Sequence, residues 1–219
     1  MIVTHLGHSC LLVEIADTRV LLDPGGFTPG FEDVRDLDAI LVTHQHPDHV
    51  DHERLPELLR HNPSARLLAE PQTAAQLAES RIEADDLGSG TAVTIGELTV
   101  HPVGQRHAVI HEDIDRIDNV GVVLRASGEP SLFHPGDALD ADPGEVDVLG
   151  VPINAPWCAM KETIEFVRRI GAPQMVPIHD GLLAERGRGL YLTQIERLGG
   201  MTVEGLRVRD LAGAGATRL

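Results

Sequence analysis

The chain has 219 residues, 42% of them hydrophobic but only 3% aromatic, so it can bury a sizeable core built from Leu, Val, Ile and Ala. Eighteen Lys and Arg face 34 Asp and Glu, a formal net charge of −16. That balance argues against a nucleic-acid partner and against an anionic membrane surface, because both need basic residues to neutralise phosphate. No apolar run approaches the ~20 residues that span a bilayer. Met1–His5 lacks the basic start and apolar stretch of a signal peptide. Cys10 and Cys158 allow one disulfide at most. The expectation is one domain over residues 1–219, in the cytoplasm.

Met1–Leu6, Cys10–Ile15 and Arg19–Leu22 are short apolar runs broken by Gly7-His8-Ser9 and Ala16-Asp17-Thr18, the spacing of an antiparallel meander. Asp23-Pro24-Gly25-Gly26 ends the third run in a tight loop. Asp38–Thr43 reads as the next strand. Pro56–Arg60 has a helical pattern, Ala65–Ala69 reads as a buried strand, and Pro71–Ala78 opens a helix with proline in its first turn. Thr91–Ile95 and Leu98–Val103 flank the hairpin signal Gly96-Glu97, and Val120–Arg125 pairs in the same way with Ser131–Phe133. Val146–Ile153 is a further strand. Lys161–Ile170 has helical periodicity and Gly171 as its C-terminal cap. Gln174–Ile178 is a strand, Tyr191–Leu198 a short helix, Val203–Val208 a final strand, and Ala212–Ala216 a frayed tail. The two halves share a coarse pattern of meander, strand, polar loop, helix and strand. It predicts two similar α/β halves with a site where strand ends meet.

Thr43-His44-Gln45-His46-Pro47-Asp48-His49-Val50 follows the apolar run Ala39–Val42. Three imidazoles and one carboxylate lie within six positions, held by a strand end. These are ligand types that zinc and similar divalent cations accept. Further donors are expected at other strand ends, where loops carry sites. His107 follows the run ending at Val103 and is favoured over His111, four residues on; His101 falls within the run, as a strand-face residue. Asp137, in Phe133-His134-Pro135-Gly136-Asp137, presents a carboxylate that can bridge two ions. His179 ends the run Met175–Ile178.

Together these motifs resemble the metallo-β-lactamase superfamily, and they span residues 23 to 179 in the family's order, beginning with Asp23 in Leu21-Leu22-Asp23-Pro24. The opening Leu6-Gly7-His8-Ser9-Cys10 resembles the branch of ascorbate-6-phosphate lactonase-like hydrolases. The resemblance implies an α+β fold, a four-layer αβ/βα sandwich with the site at one edge. It implies His44, His46 and His107 on one metal, and Asp48, His49 and His179 on a second, with Asp137 bridging and Asp23 supporting the loops. Zinc is the expected metal, with manganese and iron as alternatives. His46 stands where diiron electron-transfer members carry a carboxylate. No room follows residue 180 for the helical domain of glyoxalase II-type enzymes.

The implied chemistry is hydrolysis of an ester, lactone or phosphoester in a small-molecule substrate by a hydroxide generated on two metals. Asp48 and Asp137 are its expected catalytic carboxylates, with Asp48 orienting the hydroxide or taking its proton. His111 and Trp157 are candidates for the pocket wall. His5, His8, His52 and His61 are given no role, although the loop position of His8 brings it towards the site. The rival readings are a mononuclear iron, sulfur dioxygenase-like enzyme of the same fold and a metal-stabilised binding module without turnover.

Overall fold

A computed structural model describes residues 1–88 and 90–219. Two seven-stranded sheets dominate it. The first runs β14-β1-β2-β3-β4-β5-β6, with β1 Ile2–Gly7, β2 Cys10–Ile15, β3 Thr18–Leu22, β4 Ala39–Val42, β5 Arg66–Ala69, β6 Asp85–Asp86 and β14 Thr217–Arg218. The second runs β13-β12-β11-β10-β9-β8-β7, with β7 Val93–Ile95, β8 Leu98–Val103, β9 Gly121–Arg125, β10 Leu132–His134, β11 Val148–Pro152, β12 Gln174–Ile178 and β13 Arg207–Val208. Each sheet has three antiparallel pairings followed by three parallel ones. The coarse repeat in the sequence is therefore a repeat of pairing pattern.

The central strands are apolar on both faces because both faces are covered. In β4, Ala39 and Leu41 join the cluster between the sheets, while Ile40 and Val42 join a second cluster. That second cluster takes in Leu55 and Leu58 of α1 (Leu55–His61) and Leu77 of α2 (Pro71–Glu79). In β9, Val122 and Leu124 face the first sheet, and Val123 faces a third cluster. The third cluster holds Ile164, Phe166 and Val167 of α3 (Met160–Ile170) and Ile195 of α4 (Glu185–Gly199). Helices, sheet, sheet and helices make the four layers, so the structure is the α+β sandwich that the resemblance implies.

Most predicted elements recur within a residue or two. Pro71 starts α2 with the Glu70 carboxylate accepting from the Gln72 and Thr73 amides, and Gly171 caps α3 at φ 70°. Three elements differ. Helix α4 extends well ahead of Tyr191, through Gly187 and Gly189, because packing against α3 outweighs their poor helix propensity. The final strand expected over Val203–Val208 shrinks to Arg207–Val208. The tail read as frayed returns as β14, pairing with the edge of β1 while Leu211 and Leu219 pack on the central core. Strand β6 has no apolar signal at all, since both its residues are exposed aspartates. Among the described residues no helix is long and apolar enough to cross a membrane.

Candidate metal centre

The predicted donors converge where the C-terminal ends of β4, β10 and β12 and the loop after β8 meet. His44, His46, His107 and Asp137 bring their ligand atoms within 4.8 Å of one another, and His8, Asp48, His49 and His179 form a second such group. Asp137 lies between the groups. Its Oδ1 is 3.0 Å from His49 Nε2, and its Oδ2 is 3.1 Å from His179 Nε2, 3.4 Å from His107 Nε2 and 4.0 Å from His44 Nε2.

Hydrogen bonds at the far side of each ring decide which nitrogen is presented. The His49 Nδ1–H donates to Asp23 Oδ2 at 2.7 Å, that of His107 to the Ala108 carbonyl at 2.6 Å, and that of His179 to the Asn154 carbonyl at 2.7 Å. Thr43 donates its hydroxyl proton to Asp23 at 2.7 Å, which leaves its oxygen to accept from His44 Nδ1 at 3.1 Å. Four imidazoles thus turn Nε2 inwards, the arrangement that oxygen acceptors behind metal-binding histidines impose. Among the described residues His46 has no such partner, and it is only partly buried.

His8 is oriented the opposite way. Its Nδ1 accepts from the Gly181 amide at 3.1 Å, so its Nε2 carries the proton and donates to Asp48 Oδ2 at 3.1 Å. Burial lowers its pKa and keeps the ring neutral. Its nearness to the second group is therefore that of a residue holding Asp48, not of a ligand. A Cβ on Gly181 would lie 2.9 Å from His8 Nδ1, so this contact needs glycine. The sequence reading gave His8 no role; its one signal was the turn between two apolar runs, which brings it to the edge of the first sheet.

The backbone is strained here. His8, Asp23 and His179 all have positive φ, between 45° and 58°, and the His179 amide donates to the His8 carbonyl at 2.9 Å. Such conformations cost energy and persist where the surroundings over-determine them, often at functional sites. Gly25 has no room for a side chain, because a Cβ there would sit 1.7 Å from the Asp48 carbonyl oxygen. Asn119, which the sequence reading did not single out, accepts from the Asp137 amide at 2.9 Å and donates to the Pro135 carbonyl at 3.0 Å. It sets the loop that presents Asp137.

Burial and like-charged neighbours push the His44 imidazole well down, and burial lowers His46 too. Burial alone would also lower His49, but the carboxylates of Asp137 and Asp23 on either side of it reverse the direction. Burial pushes the Asp48 carboxyl up, yet the His8 hydrogen bond and neighbouring imidazoles outweigh it and bring it to about 2. Among the described residues, the buried Nε2 atoms of His44, His49 and His107, and Asp137 Oδ1, have no hydrogen-bond partner. Buried imidazole nitrogens and carboxylate oxygens thus crowd one small space without full hydrogen-bond satisfaction. The donor set therefore fits divalent cations.

The two pocket-wall candidates separate. Trp157 donates its indole Nε1–H to Asp137 Oδ2 at 2.8 Å, with its ring between those of His107 and His179 at 5.9 and 6.0 Å. His111 is exposed, accepts from the Asp113 amide, and belongs to neither donor group, so His107 and not His111 joins the first group. His101 lies in β8, as the strand-face reading expects.

Comparison with known proteins agrees with this geometry. The family model described as a beta-lactamase superfamily domain matches residues 2–179. The Mycobacterium tuberculosis protein Rv0786c is 46% identical over 90% of this chain and 92% of its own. A UPF0173 metal-dependent hydrolase of Methylobacterium nodulans is 28% identical over 83% of this chain and 85% of its own. The structure of Igni18, a metallo hydrolase from Ignicoccus hospitalis, superposes with TM-score 0.71 at 16% identity, covering 100% of this chain and 98% of that one, a likeness of fold. Fold, donor pattern and sequence agree: the chain belongs to the metallo-β-lactamase superfamily.

Proposed function

We propose that the protein holds two divalent cations and hydrolyses an ester, lactone or phosphoester in a small-molecule substrate, with the lactonase-like opening Leu6–Cys10 favouring the first two. The observation that carries this reading is the pair of donor groups sharing one carboxylate, Asp137. His44, His46 and His107 would hold one ion, Asp48, His49 and His179 the other, with Asp137 between them. Zinc suits imidazole and carboxylate donors, and manganese and iron remain alternatives on ligand type alone.

Bound cations would supply Lewis acidity and lower the pKa of water to about 7. The chain's own residues do the rest. Asp48 stays ionised at neutral pH, and the His8 hydrogen bond fixes its carboxylate for orienting the attacking water. Trp157 restrains Asp137 from the pocket side. Two donor groups favour a pair of ions over the single-iron dioxygenase-like reading. The same proposal sets the enzyme in the cytoplasm, where Cys10 and Cys158, both unpaired, stay reduced.

The test is elemental analysis of the purified protein together with a panel of lactones, phosphodiesters and thioesters. His46→Ala is expected to lose metal and activity together. Full activity in that variant would reject the assignment, and one iron per chain with oxygen uptake would favour the rival.

A further inference from the structure

Seven large hydrophobic side chains are conspicuously exposed among the described residues, and five of them lie on loops that lead from the metal centre. Val109, Ile110 and Ile114 follow His107, Leu182 follows His179, and Phe27 meets the His8 ring edge-on at 5.1 Å.

Val109 also lines a pocket of about 360 Å³, whose apolar wall it forms with Ala108, Leu139 and Trp157. Trp157 joins the pocket to the centre, since its indole nitrogen is already on Asp137. The charged groups at the pocket are Arg116, Asp140 and Glu162. Arg116 donates to the His107 carbonyl and lies 3.5 Å from the Asp140 carboxylate, so its charge is compensated. Glu162 accepts from the Ala159 amide at 2.8 Å and leaves the lining with a surplus negative charge. A phosphate or carboxylate on the substrate would find no free cation there, whereas an uncharged apolar group would be desolvated against the indole and the aliphatic side chains.

We infer that this pocket receives an uncharged alkyl or aryl group next to the scissile bond, so that the substrate is an apolar ester or lactone and not a phosphorylated one. The inference rests on the hydrolase reading for the bond that is cleaved, but the pocket's preference can be measured without turnover.

Trp157 is the chain's single tryptophan, so tryptophan fluorescence reports this pocket and the centre it joins. Metal-loaded protein is titrated with N-ethylacetamide, N-hexylacetamide and N-(6-hydroxyhexyl)acetamide, all neutral and none a lactone. N-hexylacetamide is expected to bind roughly tenfold or more tightly than either of the others, as burial of several methylenes requires. Val109→Glu, at an exposed loop position, is expected to remove most of that preference. Equal affinity for the three amides, or a preference untouched by Val109→Glu, would overturn the inference. In parallel, kcat/KM for γ-octalactone should exceed that for γ-butyrolactone about tenfold. Chain-length selectivity in the fluorescence titration without turnover of any lactone would support the pocket and count against the hydrolase reading only.

Discussion

Asp23 accepts from His49 Nδ1 and from Thr43 Oγ1 with the same buried oxygen, both at 2.7 Å, and from the Thr43 amide with the other at 2.8 Å. One carboxylate, itself clear of both donor groups, therefore orients a candidate ligand and the start of the loop that carries three more. Asp23→Asn keeps the shape but sets a neutral amide against these donors. Metal affinity should fall about 10–100-fold, the usual cost of losing a partner behind a ligand. Competition against a chromophoric chelator measures it, and unchanged affinity would remove Asp23 from this role.

Of the candidate ligands, the His8 ring hydrogen-bonds to Asp48, in the second donor group. His8→Ala should therefore weaken one of the two ions by about 10–100-fold and leave the other nearly unchanged. His8→Gln, whose amide N–H can still donate, should recover part of the loss. Stepwise metal titration separates the two sites; an equal loss at both would mean that His8 shapes the whole centre.

The donors that the sequence revealed are those with a local signature. His44, His46, Asp48 and His49 follow one strand, and Asp137 and His179 each end a readable apolar run. Their supports were harder to see. Asn119 reaches Asp137 across 18 positions of chain, and Gly181 reaches His8 across 173. Such pairs come together only through the sheet order. The same holds for the fold. Periodicity finds β2, β8 and β12 because their burial is intrinsic to the strand, but β6 and β14 are strands only because a neighbouring edge was open to them. His111 stands outside both donor groups, and its local signature, a loop histidine after a strand, is the same as that of His107.

The loops around the centre are fastened by Asp51 and Arg54. Arg54 donates to Asp51 at 2.8 Å and to the Thr28 carbonyl at 2.9 Å, and its guanidinium stacks over Phe31 at 4.5 Å. Arg54→Ala should cost about 1–3 kcal/mol of stability, read from denaturant unfolding.

Burial pushes the Asp51 carboxyl up, but the Arg54 hydrogen bond outweighs it and holds the group below its ordinary value. A depressed folded-state pKa contributes stability that is present above the unfolded value of about 3.9 and is lost as pH falls through the folded one. Wild type should therefore be more stable than Asp51→Asn at neutral pH, and the gap should close below about pH 4. Melting curves of metal-free protein test this without interference from acid release of ions. A gap that does not narrow as pH falls below about 4 would show that the carboxylate's charge is not what matters.

Stripping the metal tests the number of ions directly. Without cations, three buried imidazole nitrogens and Asp137 Oδ1 lack partners among the described residues, so chelation should lower the melting temperature and re-addition of zinc restore it. Stabilisation by a ligand that binds only the folded state grows with the logarithm of its free concentration. Well above saturation, one bound ion adds about 1.4 kcal/mol per tenfold rise in free metal, and two add about 2.7. The two donor groups predict the steeper slope, measured by unfolding in metal buffers. Asp137→Ala, which removes the shared carboxylate, should flatten it. A slope near the single-ion value in wild type would mean that only one group fills and would return the centre to mononuclear chemistry.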